Sequence, residues 1–297
     1  MSSKERAQAE LTLHQTVQFA PDFAKRLESF LPRLSAARDK REGAGTTKLA
    51  SGGEEFVGFR PYQPGEDLRQ LDWNLLARLD RPFVRTMRRE ASEQWSILVD
   101  GSGSMAVGAP GKFQRAAELA AALASLGLRR GARVVLRVSG AREGAREFVA
   151  DRRSALGALL SFLEGQRAEG AGSFEALLSA GHSRRGMGRV FCLSDFIGIE
   201  PKTLLSLSSR GRELCAIQLL APSELHPRED RAVEWADPET GERLRLLVDA
   251  TARQEYEQRL EEWLSMWRGA CAKHRALHGV WDSRSEFEEV LTELFAR

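Results

Sequence analysis

An α/β fold with a doubly wound, mostly parallel six-stranded sheet is predicted by three observations. From residue 93 onward, short apolar runs alternate with longer stretches of helical period. The runs at 188–195, 213–221 and 276–282 are continuously apolar for most of their length, as strands buried on both faces should be. The run REFVA (146–150) follows its predecessor after a short Gly-containing turn, which leaves no room for a crossover helix and marks an antiparallel edge strand.

In chain order, residues 22–41 have helical period, interrupted at Pro32, and 42–53 (EGAGTTKLASGG) read as a linker. Residues 54–90 interleave Arg60, Arg69, Arg78, Arg81, Arg85, Arg88 and Arg89 with Glu66, Asp67, Asp72 and Asp80 around a PGED turn. QWSILVD (94–100) is the first core strand, a helix runs from about Phe113 to Leu128, and ARVVLRVSG (132–140) is the second strand. After REFVA come an apolar helix at Phe174–Ala180 and the strands GRVFCLSD and ELCAIQLLA. DPETGE (237–242) between AVEW and LRLLV is a hairpin signal. A long helix then spans Ala250–Lys273, with Tyr256, Leu260, Trp263, Leu264 and Trp267 on a core-facing stripe, and ALHGVWD (276–282) is the sixth strand. The domain reading is a helical segment at 1–45, an Arg/Asp-rich module at 46–92 and an α/β domain at 93–297 with an insertion at about 222–249.

Composition narrows the function classes. The 297 residues carry 44 Lys+Arg against 42 Asp+Glu, a net charge of +2, so nucleic acid is not an expected partner. Cys192, Cys215 and Cys271 are an odd number at spacings that fit neither a disulfide framework nor a CxxC metal site, which points to a reducing compartment. The longest nearly apolar stretch, Leu119 to Leu128, falls well short of the roughly 20 residues that span a bilayer. No membrane span is expected, and a cytoplasmic location is.

The chemistry concentrates in the loop after the first core strand, Asp100-Gly101-Ser102-Gly103-Ser104-Met105. Alternate positions of an extended turn can aim one carboxylate and two hydroxyls at a common point. Such a hard-oxygen set, with no imidazole or thiolate nearby, suits Mg²⁺ or Mn²⁺ rather than zinc. In an open parallel sheet, ligands bind beyond the carboxyl ends of strands where the strand order reverses. With the first strand central, that crevice lies between the Asp100 loop and Asp195, which ends its own strand. Ser173, just before the helix at Phe174, can add a third hydroxyl or simply cap that helix.

The Asp-x-Ser-x-Ser loop at 100–104, the hydroxyl of Ser173 and the strand-end Asp195 resemble the metal-ion-dependent adhesion site of von Willebrand factor type A domains. The resemblance implies that Asp100, Ser102, Ser104 and Ser173 contact the metal, and that Asp195 binds it directly or through water. That site commonly has Thr where this chain has Ser173, which keeps the hydroxyl. The stretch FRPYQPGEDLRQLDWNLLARLDRPFVRTMRRE (59–90), the later L-x-x-P-S-E-L and DPETGE, and the long aromatic helix are similar to the bacterial domain-of-unknown-function 58 family, over roughly residues 45–297. Many members carry two N-terminal membrane spans, which have no counterpart in these residues. The resemblance implies a non-enzymatic partner of MoxR-type AAA+ ATPases in protein assembly, maturation or stress response. It also leaves the Arg/Asp block as either a structural brace or a docking face.

The function expected from these readings is a metal-dependent protein-interaction module whose ion accepts an acidic side chain of the partner. Two alternatives are a Mg²⁺-dependent phosphohydrolase, with Lys112 as its one nearby cation, and a scaffold with a vestigial site. Gly101-x-Gly103-x-x-Ala106 fails as a dinucleotide fingerprint, because further residues separate it from the helix that would bind the phosphate.

Overall fold

The apolar run 94–99 becomes the middle of the sandwich. The computed structural model describes residues 16–42, 54–62, 72–79, 81–89, 93–140, 144–170, 174–180, 188–208, 212–227, 232–236, 242–247 and 249–296. Helix α1 (Phe23–Glu42) precedes an antiparallel pair, β1 (Glu54–Pro61) and β2 (Phe83–Arg89), with helix α2 (Trp73–Leu79) between them in sequence. The sandwich comprises β3 (Gln94–Val99), α3 (Lys112–Arg129), β4 (Arg133–Val138), β5 (Arg146–Ala150), α4 (Leu156–Glu164), α5 (Phe174–Ala180), β6 (Gly188–Ser194), α6 (Pro201–Leu205) and β7 (Arg212–Leu220). It continues with α7 (Pro222–Leu225), the hairpin β8 (Ala232–Ala236) and β9 (Arg243–Leu247), α8 (Ala250–Lys273), β10 (Leu277–Asp282) and α9 (Phe287–Ala296).

Six strands form one sheet in the order β10-β7-β6-β3-β4-β5. Every pairing is parallel except that of β4 with β5, so REFVA is the antiparallel edge strand its short connection implied. Both faces are covered, as continuous apolar strands require. Trp95, Ile97 and Val99 join the core under α3, whereas Leu98 points to the opposite core with Val190, Cys192, Leu214 and Ala216. That second core is closed by Phe174, Leu177 and Leu178 of α5, Leu204 and Leu205 of α6, and Trp267 and Cys271 of α8. Helix α3 can lie this close to the sheet because Gly127 faces Trp95, where an added Cβ would meet the indole ring at 2.9 Å.

Helix α1 runs through Pro32 rather than breaking there. Proline in a helix interior costs about 3 kcal/mol. Burial of Phe23, Leu27, Leu31 and Leu34 in the same core as α3 offsets it at roughly 1.5–3 kcal/mol per side chain. Arg26 adds ion pairs to Glu286 and Glu288 at 2.7 Å and lies over the Phe287 ring, tying α1 to α9. On α8 the expected stripe is graded. Trp267 and Leu264 are buried, while Tyr256, Leu260 and Trp263 are half-buried.

In the Arg/Asp block, buried Asp72 acts as a brace: its Oδ1 accepts the Leu75 amide at 3.0 Å at the start of α2, and its own amide bonds Phe83 O. Arg69, Glu66, Asp67 and Asp80, like the linker at 43–53 and most of DPETGE, lie outside the described residues. Among the described residues, no helix is long and apolar enough to cross a membrane.

Candidate metal centre

The strand order places the switch point where the sequence puts its carboxylates. From β3 the chain moves to β4 on one side, while β6 flanks β3 on the other. Asp100 and Asp195 therefore end neighbouring parallel strands, and the Asp100 amide donates to Leu193 O at 2.9 Å across that boundary. Both are almost fully buried.

Each carboxylate is held by donors. Asp100 Oδ1 accepts the Ser102 amide at 3.0 Å and the Ser139 hydroxyl at 3.4 Å, and Oδ2 accepts the Ser194 hydroxyl at 2.5 Å. Asp195 Oδ1 accepts the Ile197 amide at 3.0 Å, and Oδ2 accepts Lys112 Nζ at 2.7 Å. Burial first, and the Asp195 charge second, push the Asp100 carboxyl up to about 6, against the hydrogen bonds from Ser194 and Ser102.

The hydroxyls of Ser102 and Ser104 lie 3.0 Å apart at the mouth of the Gly103–Ala106 turn. The loop is shaped by close backbone approach. A Cβ at Gly101 would sit 2.2 Å from Ser139 O at the end of β4, so only glycine fits there. The segment before α5 closes the other side, with Glu169 N donating to Gly101 O and Gly103 N to Gly170 O. Ser173 lies outside the described residues.

The turn after Asp195 is strained and buttressed. Phe196 has a positive φ of 59°, uncommon for a bulky residue, and its ring stacks on Trp267 at 4.8 Å. The Phe196 amide bonds the Ser194 hydroxyl, and Gln218 Nε2 donates to Asp195 O, with His278 in turn against Gln218 Oε1. His278 thus braces the Gln218 side chain that holds the Asp195 carbonyl.

Sequence reasoning missed Ser139, Ser194 and Glu224 and misjudged Lys112. The Lys112 side chain is fully buried and bridges Asp195 to Glu224 Oε1 at 2.6 Å. Burial alone would push its ammonium down, but the charges of Asp195 and Glu224 outweigh burial and hold it above its ordinary value. The available signals were modest: a hydroxyl beside Asp195 in CLSD, and a Lys at the first position of a largely apolar helix.

The residues fit a divalent cation of the Mg²⁺ type. The Ser102 and Ser104 hydroxyls are hydrogen-bonded to each other at 3.0 Å, and two oxygens bound at right angles to Mg²⁺ would lie about as far apart. Among the described residues no three His, Cys, Asp or Glu side chains converge. Two carboxylates, Asp195 and Glu224, share the one Lys112 ammonium, which leaves an excess of one negative charge when all three are ionised.

A doubly wound sheet with Asp100, Ser102, Ser104 and Asp195 gathered at its switch point defines the class. The chain belongs to the DUF58 family, described as a protein of unknown function, whose model matches residues 58–263. Similar relatives include uncharacterized protein Rv1480 of Mycobacterium tuberculosis (strain ATCC 25618 / H37Rv), 28% identical over 234 residues that cover 75% of this chain and 69% of that protein. Among solved structures, the conserved hypothetical protein BatB from Bacteroides thetaiotaomicron is 12% identical with a TM-score of 0.42, covering 69% of this chain and 98% of that one. The SpRpn10 VWA domain is 13% identical with a TM-score of 0.39, covering 67% and 93%. Such low scores add nothing to the strand order described above.

Proposed function

We propose that this chain is a non-enzymatic, metal-dependent protein-interaction module. The observation that carries the reading is the Ser102–Ser104 hydroxyl pair, 3.0 Å apart, beside Asp100 and Asp195. In this reading Ser102 and Ser104 hold Mg²⁺ or Mn²⁺ with Ser173. Asp100 and Asp195, with both oxygens of each already accepting hydrogen bonds, balance its charge mainly from behind. Bound there, the ion would supply a Lewis-acid position open to an incoming carboxylate. The protein's own residues fix that position, exclude water from the buried side and present the exposed Ile197 next to it. The partner is a protein offering an acidic side chain, and the family resemblance nominates a MoxR-type AAA+ ATPase and its client.

The phosphohydrolase alternative is weaker on this geometry. Its nearby cation, Lys112, is buried between two carboxylates and does not face an incoming phosphate. The test is binding of the purified ATPase partner to wild type and to Asp100→Ala, in Mg²⁺ and in EDTA. Mg²⁺-dependent binding by wild type that is lost in the variant, with the fold intact, is the expected result; binding indifferent to EDTA would sink the reading.

A further inference from the structure

Lys112 is an unusual neighbour for a cation site. Its side chain crosses from the first turn of α3 to the carboxyl end of the sheet, where its ammonium lies 2.7 Å from Asp195 Oδ2 and 2.6 Å from Glu224 Oε1. Neither the lysine nor Asp195 has appreciable access to solvent, so the ammonium cannot trade these partners for water. Glu224 is anchored from two further directions. Its Oε2 accepts the Ala221 amide at 2.6 Å, and its carbonyl accepts the Tyr256 hydroxyl of α8 at 2.7 Å. The bridge is therefore built from fixed parts on three separate elements.

Resting on the proposed metal reading, we infer that Lys112 is a positioning residue that serves as the site's resident cation. It holds Asp195 and Glu224 together when no divalent ion is bound, and it thereby limits how tightly a divalent ion binds. The physical basis is charge. Burying carboxylates without counter-charge is costly, so a permanent ammonium lets the crevice fold without metal. The same positive charge, seated on Asp195 Oδ2, repels a second cation drawn to that carboxylate in a medium less polar than water. Glu224 offsets part of that repulsion, so the two residues act as a matched pair, and changing either one alone unbalances the site in a defined direction.

Lys112→Met keeps the aliphatic stem and removes the charge. Glu224→Gln keeps the shape and removes the opposing charge. Mg²⁺ titrations by calorimetry, with thermal melts in EDTA and in Mg²⁺, are made on wild type, both single variants and the double variant. One charge at this range corresponds to a change of about tenfold or more in Mg²⁺ affinity. Lys112→Met is expected to melt lower than wild type in EDTA and to bind Mg²⁺ about tenfold or more tightly. Glu224→Gln is expected to bind it more weakly by a similar factor, and the double variant to return towards wild type in both measurements. General damage to the fold weakens metal binding, so tightening is a readout that a merely structural role of Lys112 would not produce. If wild type binds Mg²⁺ and Lys112→Met binds it equally or less well, the inference is overturned while the metal reading stands. If neither binds Mg²⁺, both fall; if only Lys112→Met binds it, the inference stands and the metal reading of the wild-type chain falls. Should Lys112→Met not fold even in Mg²⁺, Glu224→Gln decides, and binding as tight as wild type or tighter overturns the inference.

Discussion

The Ser194 hydroxyl donates to Asp100 Oδ2 at 2.5 Å, joining the last residue of β6 to the carboxylate just beyond β3. The bond is fully buried, and Ser194 Oγ in turn accepts the Phe196 amide. Ser194→Ala is expected to cost about 1.5–3 kcal/mol, the usual worth of a hydrogen bond to a charged group. Chemical denaturation measures this, and a loss below about 0.5 kcal/mol would mean that Asp100 does not depend on Ser194.

Gly101 marks a second constraint. Alanine there would place its Cβ 2.2 Å from Ser139 O, so the loop or the end of β4 must shift. Gly101→Ala is expected to destabilise the fold by about 1–3 kcal/mol or more, as overpacking does. It is also expected to disturb the bond from the residue-101 amide to Ser139 Oγ, seen as a shift of the Ser139 and Ser102 amide signals relative to wild type. Wild-type stability in this variant would contradict the close approach.

Trp267 supports the strained Phe196 turn from α8. Trp267→Ala is expected to cost about 3–5 kcal/mol, and also to weaken Mg²⁺ binding in the folded fraction by loosening the backbone that carries Asp195. A folded variant with unchanged Mg²⁺ affinity would show that the turn stands without its buttress.

Acid should release α1 from α9. Partial burial raises the Glu286 carboxyl, but hydrogen bonds from Arg26 and Arg115 outweigh it and hold the group below its ordinary value. A carboxyl depressed in the folded state contributes stability that is present above its unfolded value, about 4.3, and is lost as pH falls through the folded value. Hydrogen exchange in α1 is therefore expected to be insensitive to this group between about pH 6 and 8, and protection is expected to fall below about pH 4. Protection in α1 that persists unchanged to about pH 3 would refute the tether.

The strands were legible because both of their faces are apolar, and the placement of Asp100 and Asp195 after neighbouring strands was legible because each stands where an apolar run ends. The Lys112 bridge was not. Its partners lie 83 and 112 residues away, and no local pattern distinguishes a helix-initial lysine in solvent from one buried against two carboxylates. Pro32 misled for a related reason. Its local penalty is real, but the aromatic and leucine contacts that override it come from α3 and α9.

Helix α1 and the β10–α9 segment have a practical consequence for anyone dissecting this chain. The family match spans 58–263, yet β10 pairs with β7 along its whole length, and Phe287 is sealed by Phe23, Phe30 and Arg26. A fragment trimmed to the family boundaries would bare one flank of β7 and strip α3 of its cover. Such a piece should be sticky and prone to self-association, so binding or metal experiments call for expression from before residue 16 through residue 297.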